Sequence, residues 1–400
     1  MKQIRLLATL LCSIVVGMAL NAQQNYTIIV SLDGFRNDYT AMYNTPFFHS
    51  MAESGVSAVM MPSFPSKTFP NHYTLATGLV PDHHGIVANS FLDRQQGKYY
   101  LLSDSLSRND ASFYGGEPIW ITAKRQGVKT ATIYWVASDV ALPGGMPDYW
   151  WKYNTKSLLT FEQRIDTAIG LLKKPEHERP HLIMLYFEQP DEVGHRCSPY
   201  SPETAKVVQH LDSLIHLLSV RISALPIADK VNLIVTSDHG MAPISPDRTV
   251  AVKQYLKDEW IERVDGNLPG QIYCRPGCAD KVVEALSNVP HLRAWKREEI
   301  PAYLNYGSST RVGDVVALPD VGWLFTDDTS FAPGGAHGFD PTASDMHVMF
   351  RAIGPDFRHG YAKPQKFANT CIYPLLAHLL GITPAPCDGS LSEVSDMLAR

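Results

Sequence analysis

Four apolar runs of the same form recur along the chain: YTIIVSLDG from Tyr26, KTATIYWVAS from Lys129, PHLIMLYFEQPD from Pro180 and KVNLIVTSDHG from Lys230. Each is rich in β-branched and aromatic residues, stays apolar without alternating, and turns polar only at its C-terminal end. A strand reads that way when helices cover both faces of its sheet, as in parallel α/β architectures. Helix-patterned segments at 161–172 and 201–218 stand between the runs. The expected fold class is therefore α/β, with a mostly parallel central sheet flanked by helices. In such sheets ligands bind outside the carboxyl ends of the strands. Asp33, Asp191, Asp238 and His239 all fall there.

The pattern changes from about Pro243 to Phe331, where QIYCRPGC, HLRAWKREEIPAYL and DVVALPDVGWLFT are shorter and more mixed. This stretch reads as a smaller α+β insertion. The parental pattern returns with MHVMFRAIG as a further core strand and NTCIYPLLAHLLGI as a late helix. The chain thus divides into a leader at 1–22 and one catalytic domain at 23–400, interrupted at about 243–331. The leader has two basic residues, an apolar run from Leu6 to Leu20 and a small residue at Ala22, which is the form of a secretory signal peptide. A periplasmic or secreted location and no membrane span after its removal are expected. Cys12 lies in that leader. Of the other cysteines, Cys274 with Cys278 and Cys371 with Cys387 are disulfide candidates in an oxidising compartment, which leaves Cys197 single. With 19% charged residues and a net charge of -5, no nucleic-acid surface is indicated.

The polar residues at the strand ends have the chemistry of metal ligands. Asp191 and His195 in PDEVGH are one helical turn apart, so both reach one face. Asp238 and His239 adjoin in SDHG, His337 lies between glycines in GGAHGFD, and Asp33 ends the first run. Taken singly, an Asp after a strand is ordinarily a turn residue or a cap. Their coincidence at one edge of one sheet favours a shared site. Mixed Asp and His ligands suit Zn²⁺, and two such sets suit a two-metal hydrolase.

The segments SLDGFRNDY, SKTFPNHYTLATGLVPDHHGIVAN, PDEVGH, TSDHGM, HGFDP and TPAPCDGSL together resemble the nucleotide pyrophosphatase/phosphodiesterase family of the alkaline phosphatase superfamily, in its secreted bacterial form. The resemblance covers nearly the whole chain after the leader. It implies an alkaline-phosphatase-like fold and two Zn²⁺ per chain. Asp191, His195 and His337 would hold one ion. Asp33, Asp238 and His239 would hold the other, with Thr68 completing its shell. Thr68 is then the nucleophile. It is expected to cap a helix start, where an anion is favoured, and a divalent cation beside its hydroxyl favours the reactive alkoxide. Asn89 matches the family's asparagine that hydrogen-bonds a phosphoryl oxygen. His72 and His84 read as structural, His83 has no assigned role, and Lys67 either attracts anions or is solvated.

The implied reaction is hydrolysis of phosphodiester and pyrophosphate bonds through a phospho-threonine, with a small-molecule nucleotide as substrate and nucleoside 5′-monophosphate as product. Phe69, Tyr153 and Tyr186 are the candidate substrate-binding residues, with Phe69 and Tyr153 sandwiching a base and Trp135 and Trp150 as further candidates. A choline or lysophospholipid phosphodiesterase is the alternative, because aromatic walls also bind quaternary ammonium groups. A catalytically dead metal-binding protein would be expected to lack a ligand or the nucleophile, and here all seven positions are filled.

Overall fold

The structure, a computed structural model, describes residues 25–153 and 157–399. The expected leader, with Cys12, lies outside the described residues. The apolar runs form the middle of a nine-stranded sheet. Its strands are β1 (Tyr26–Leu32), β2 (Val56–Met61), β3 (Thr130–Ile133), β4 (Tyr149–Trp151), β5 (Leu182–Phe187), β6 (Val231–Thr236), β7 (Val348–Ile353), β8 (Tyr361–Ala362) and β9 (Phe367–Ala368). They lie in the order β8-β2-β7-β6-β1-β5-β3-β4, with β9 also paired to β2. All pairings are parallel except those of β7, which runs against both β2 and β6. The sheet is mostly parallel, and MHVMFRAIG supplies its one reversed strand.

Side chains of β1 alternate between two cores, as the two-residue period of a strand requires. Ile29 packs with Met184 and Ile234 on one face; Ile28, Val30 and Leu32 pack with Ile183, Leu185 and Val235 on the other. The first face is covered by α1 (Thr68–Thr77) and the late helix Ile372–Leu379, the second by α2 (Phe161–Leu172) and α4 (Pro202–Ser223). α2 opens with a capping box between Thr160 and Gln163. α4 has Ser201 as N-cap and Pro202 in its first turn, and it buries Val208, Leu211, Ile215, Leu218 and Ile222, a stripe at helical spacing. α3 (Asp191–Cys197) follows β5 directly.

Between β6 and β7, Ile261–Asp265, Gly270–Cys274, Leu292–Lys296 and Val315–Pro319 form a separate four-stranded antiparallel sheet. Ile272, Val282, Leu286, Val315 and Ala317 pack together on it. The disulfide candidates are not formed: Cys197, Cys274, Cys278, Cys371 and Cys387 are all free thiols. Cys274 is buried in its strand, and the Cys387 thiol instead lies 3.4 Å from the Gly389 carbonyl. Among the described residues, no helix is long and apolar enough to cross a membrane.

Candidate active site

β5, β1 and β6 end side by side, with Leu32 opposite Phe187 and Ser31 opposite Thr236. Asp33 follows β1 at once, Asp191 opens the helix after β5, and Asp238 stands just past β6. The loops are tied together: Asp191 N donates to the Asp33 carbonyl at 2.9 Å, and Gly34 N donates to Asp238 Oδ1 at 3.2 Å. Gly34 has φ +71°, and a Cβ there would meet the Asp191 backbone at 3.0 Å, so only glycine allows this approach. His195 lies one turn into α3. His337 follows the short strand Gly334–Ala336, which pairs with Ala242–Ile244 just after His239.

The site has the donor set of a metal centre. His195, His239 and His337 each place Nδ1 against a backbone carbonyl, of Gly335 at 2.7 Å, Gly240 at 2.9 Å and Ser66 at 2.9 Å. A carbonyl only accepts, so Nδ1 carries a proton and Nε2 is the nitrogen turned into the site. Opposite these nitrogens, Asp33 Oδ1, Asp191 Oδ1 and Asp238 Oδ2 are buried with no hydrogen-bond partner. His239 Nε2 lies 2.9 Å from Asp238 Oδ2 and 3.4 Å from Asp33 Oδ1; Asp191 Oδ1 lies 3.4 Å from His195 Nε2 and 3.6 Å from His337 Nε2. Carboxylate oxygens and ring nitrogens at these distances are satisfied by a positive charge between them, a metal ion or the ring's own proton; burial opposes the charge on His239, but Asp238 raises its pKa. Asp191, His195 and His337 form one group able to hold an ion, and Asp33 forms others with Asp191 and His239 and with His72 and Asp238. The residues present fit divalent metal.

Electrostatics agree with that need. Burial, then Asp238 and Asp191, push the Asp33 carboxyl well above the usual range. Burial also raises Asp191, against the pull of His195 and His239. Burial would raise Asp238 too, but His239 and His72 beside it hold it well below. Burial, with His239 and Lys67 nearby, keeps the His337 imidazole neutral.

Thr68 Oγ1 is 3.1 Å from His239 Nε2, so the threonine joins the Asp33, Asp238 and His239 side of the site. Its expected capping role is corrected. Thr68 is the first residue of α1, Lys67 occupies the N-cap position, and no side chain caps the helix. The hydroxyl is aimed at His239 rather than spent on a backbone N–H, which leaves the helix's first amides open. Burial lowers the adjacent Lys67 ammonium to about 8, with Asp191 opposing.

A cavity of about 280 Å³ opens over Thr68, Asp33 and Asp191. Phe69, Tyr153, Tyr186 and Trp135 all line it, whereas Trp150 is outside it and 42% exposed. Tyr186 also donates from its hydroxyl to Asp33 Oδ2 at 2.6 Å. Asn89 does not line the cavity. Its carbonyl accepts from Leu102, which does, and its Oδ1 is buried without a partner. Sequence reasoning missed Asp139 and Arg108, which also line the cavity. Burial raises the Asp139 carboxyl, with Lys152 and Arg108 opposing. Asp139 follows β3 where Tyr134 takes φ 65° and the chain leaves the sheet to line the cavity, a break that KTATIYWVAS does not signal.

The other histidines are accounted for locally. His72 is fully buried, with Nε2 2.9 Å from Ser31 Oγ and Nδ1 3.0 Å from the Thr68 carbonyl. His84 Nε2 lies 3.1 Å from both the Pro70 carbonyl and Thr74 Oγ1. His83 pairs with Asp388 at 2.8 Å, away from the cavity over Thr68.

The family described as type I phosphodiesterase / nucleotide pyrophosphatase matches residues 27–340. The chain is 36% identical over 385 residues to human ectonucleotide pyrophosphatase/phosphodiesterase family member 5, covering 95% of this chain and 79% of that protein. It is 34% identical over 392 residues to the mouse family member 1, covering 94% of this chain but only 43% of that longer protein. Among solved structures, an inactive threonine-to-alanine form of murine member 5 in complex with AMP superposes with a TM-score of 0.88 at 35% identity, covering 94% of this chain and all of that one. That agreement extends to the alkaline-phosphatase-like architecture expected from the sequence. The chain belongs to the type I phosphodiesterase / nucleotide pyrophosphatase family.

Proposed function

We propose that the protein is a two-zinc hydrolase of nucleotide phosphodiester and pyrophosphate bonds that releases nucleoside 5′-monophosphates. The observation that carries this reading is the cluster of three unpartnered carboxylate oxygens and three histidine Nε2 atoms at the strand ends, with the Thr68 hydroxyl 3.1 Å from one of those nitrogens. Asp191, His195 and His337 would hold one ion; Asp33, Asp238, His239 and Thr68 would hold the other. Bound there, zinc supplies Lewis acidity: it lowers the pKa of an oxygen it touches and offsets charge on the departing one.

The remaining work falls to the chain. Phe69 and Tyr153 grip the base and hold the phosphorus in line with Thr68 Oγ1. The hydroxyl loses its proton to solvent and attacks, so the Thr68 O–P bond forms as the bond to the leaving oxygen breaks. The open amides at the start of α1 and the Lys67 ammonium receive charge on the phosphoryl oxygens, and the Asn89 amide would join them only by turning toward the cavity from behind Leu102. Water then displaces Thr68 and frees the monophosphate. The AMP complex of the murine relative supports a nucleotide as the ligand class. The leader pattern and the ecto-enzyme names of the relatives support a periplasmic or secreted location.

One observation keeps a second reading in the test. Aromatic rings with a carboxylate, Asp139, in the same cavity also suit a quaternary ammonium group. The experiment is a substrate panel on zinc-loaded protein: a nucleoside 5′-monophosphate nitrophenyl ester, ATP, a dinucleotide, nitrophenyl phosphate and nitrophenyl phosphocholine. Higher kcat/KM on the nucleotide esters is expected. A preference for phosphocholine promotes the second reading, and a preference for the monoester sinks both.

A further inference from the structure

We infer that Tyr186 is a positioning residue for the metal site as well as a wall of the substrate cavity: its hydroxyl fixes which oxygen of Asp33 faces the ion. The inference rests on the two-metal reading above. Tyr186 lines the cavity, and its hydroxyl donates to Asp33 Oδ2 at 2.6 Å. That contact is buried, and it occupies one carboxylate oxygen while Oδ1 has no partner and stands 3.4 Å from His239 Nε2. Among the described residues, no other side chain donates a hydrogen bond to Asp33. Asp33 thus presents a single oxygen to the ion, in an orientation set by the phenol.

The neighbours hold the phenol in turn. The Tyr186 ring meets His72 edge-on at 5.1 Å and Tyr153 at 6.1 Å. His72 is pinned by Ser31 and by the carbonyl of Thr68. A shift of Tyr186 would therefore be resisted from both the β1 side and the nucleophile helix. The other ligand group, Asp191, His195 and His337, receives no hydrogen bond from the Tyr186 hydroxyl and serves as an internal control.

Loss of an outer hydrogen bond of this kind typically weakens metal affinity by about tenfold to a hundredfold. Tyr186→Phe keeps the ring and removes only the hydroxyl. The test strips the metal, then titrates zinc against a chromogenic chelator for wild type and Tyr186→Phe, with kcat/KM measured on a nucleotide ester and on bis-nitrophenyl phosphate. The expected result is one of two binding steps weakened by that factor and the other unchanged. The ratio of activities on the two substrates should stay as in wild type. Equal weakening of both steps means a general structural effect and overturns the inference. Unchanged affinity, or a selective loss on the nucleotide, also overturns it and leaves Tyr186 as wall only. Wild-type protein that takes up no zinc overturns the two-metal reading itself, a failure visible before the variant is compared.

Discussion

Asp33→Asn should stabilise the metal-free protein while abolishing its response to zinc. In the stripped state Asp33 Oδ1 is a buried carboxyl oxygen with no hydrogen-bond partner, 3.4 Å from His239 Nε2, and it carries charge only above its raised pKa. The asparagine can keep its oxygen toward the Tyr186 hydroxyl and place Nδ2 where Oδ1 stood. It then donates to His239 Nε2, whose Nδ1 proton is committed to the Gly240 carbonyl. An unpartnered buried polar group costs about 1–3 kcal/mol, more when charged. The entropy of unfolding for a chain of this size is about 0.8 kcal/mol/K, so the stripped variant should melt about 1–4 °C above stripped wild type. Because burial and two neighbouring carboxylates raise the Asp33 pKa, folded wild type binds a proton that the unfolded chain releases. Its stability is retained at low pH and lost as pH rises from the ordinary carboxylate range through the raised value. The advantage of the variant should accordingly grow with pH. With free zinc a thousandfold above Kd, each occupied site adds about 4 kcal/mol, roughly 5 °C, to wild type. The variant should lose most of one such increment, so the order of stabilities reverses. Scanning calorimetry of both proteins, with chelator and with zinc, reads all four values. A stripped variant that melts below stripped wild type, or one that keeps the full zinc shift, refutes the reasoning.

Thr68→Ala should lose nearly all turnover and keep the fold, because the hydroxyl contacts His239 and caps nothing; Thr68→Ser should retain part of the activity, and near wild-type turnover by the alanine variant would remove Thr68 from the chemistry. Tyr153→Ala should weaken nucleotide substrates by roughly tenfold to a hundredfold, the size of one stacking contact, and bis-nitrophenyl phosphate much less; equal losses on both would make Tyr153 a structural support.

The strands and the ligands were legible in the sequence for one reason. A doubly covered parallel sheet needs unbroken apolar runs, and its chemistry must stand where those runs stop. Asp33, Asp191 and Asp238 could be placed at one edge before any strand order was known, and Asp191 with His195 could be placed on one helical turn. What could not be read was set by contacts between distant segments. The reversal of β7 depends on its pairing with β2 and β6, which its own residues do not encode. Thr68 looked like a cap because proline and threonine open helices. Its hydroxyl is instead drawn to His239, 171 residues away. KTATIYWVAS read as one strand throughout, but β3 stops at Ile133 and the left-handed turn at Tyr134 sends Trp135 and Asp139 into the cavity wall. Tyr186 was recognised as a wall residue. Its link to Asp33 joins adjacent strands at a register that only the folded sheet fixes.

The central claim is that Thr68, and not water, attacks the phosphorus first. The most direct measurement is the stereochemical course of hydrolysis of a nucleoside 5′-phosphorothioate nitrophenyl ester of known configuration, run in ¹⁸O-labelled water. Each in-line displacement inverts phosphorus. Two successive displacements, by Thr68 and then by water, predict net retention in the labelled nucleoside phosphorothioate. Net inversion would mean a single attack by water and would contradict the account.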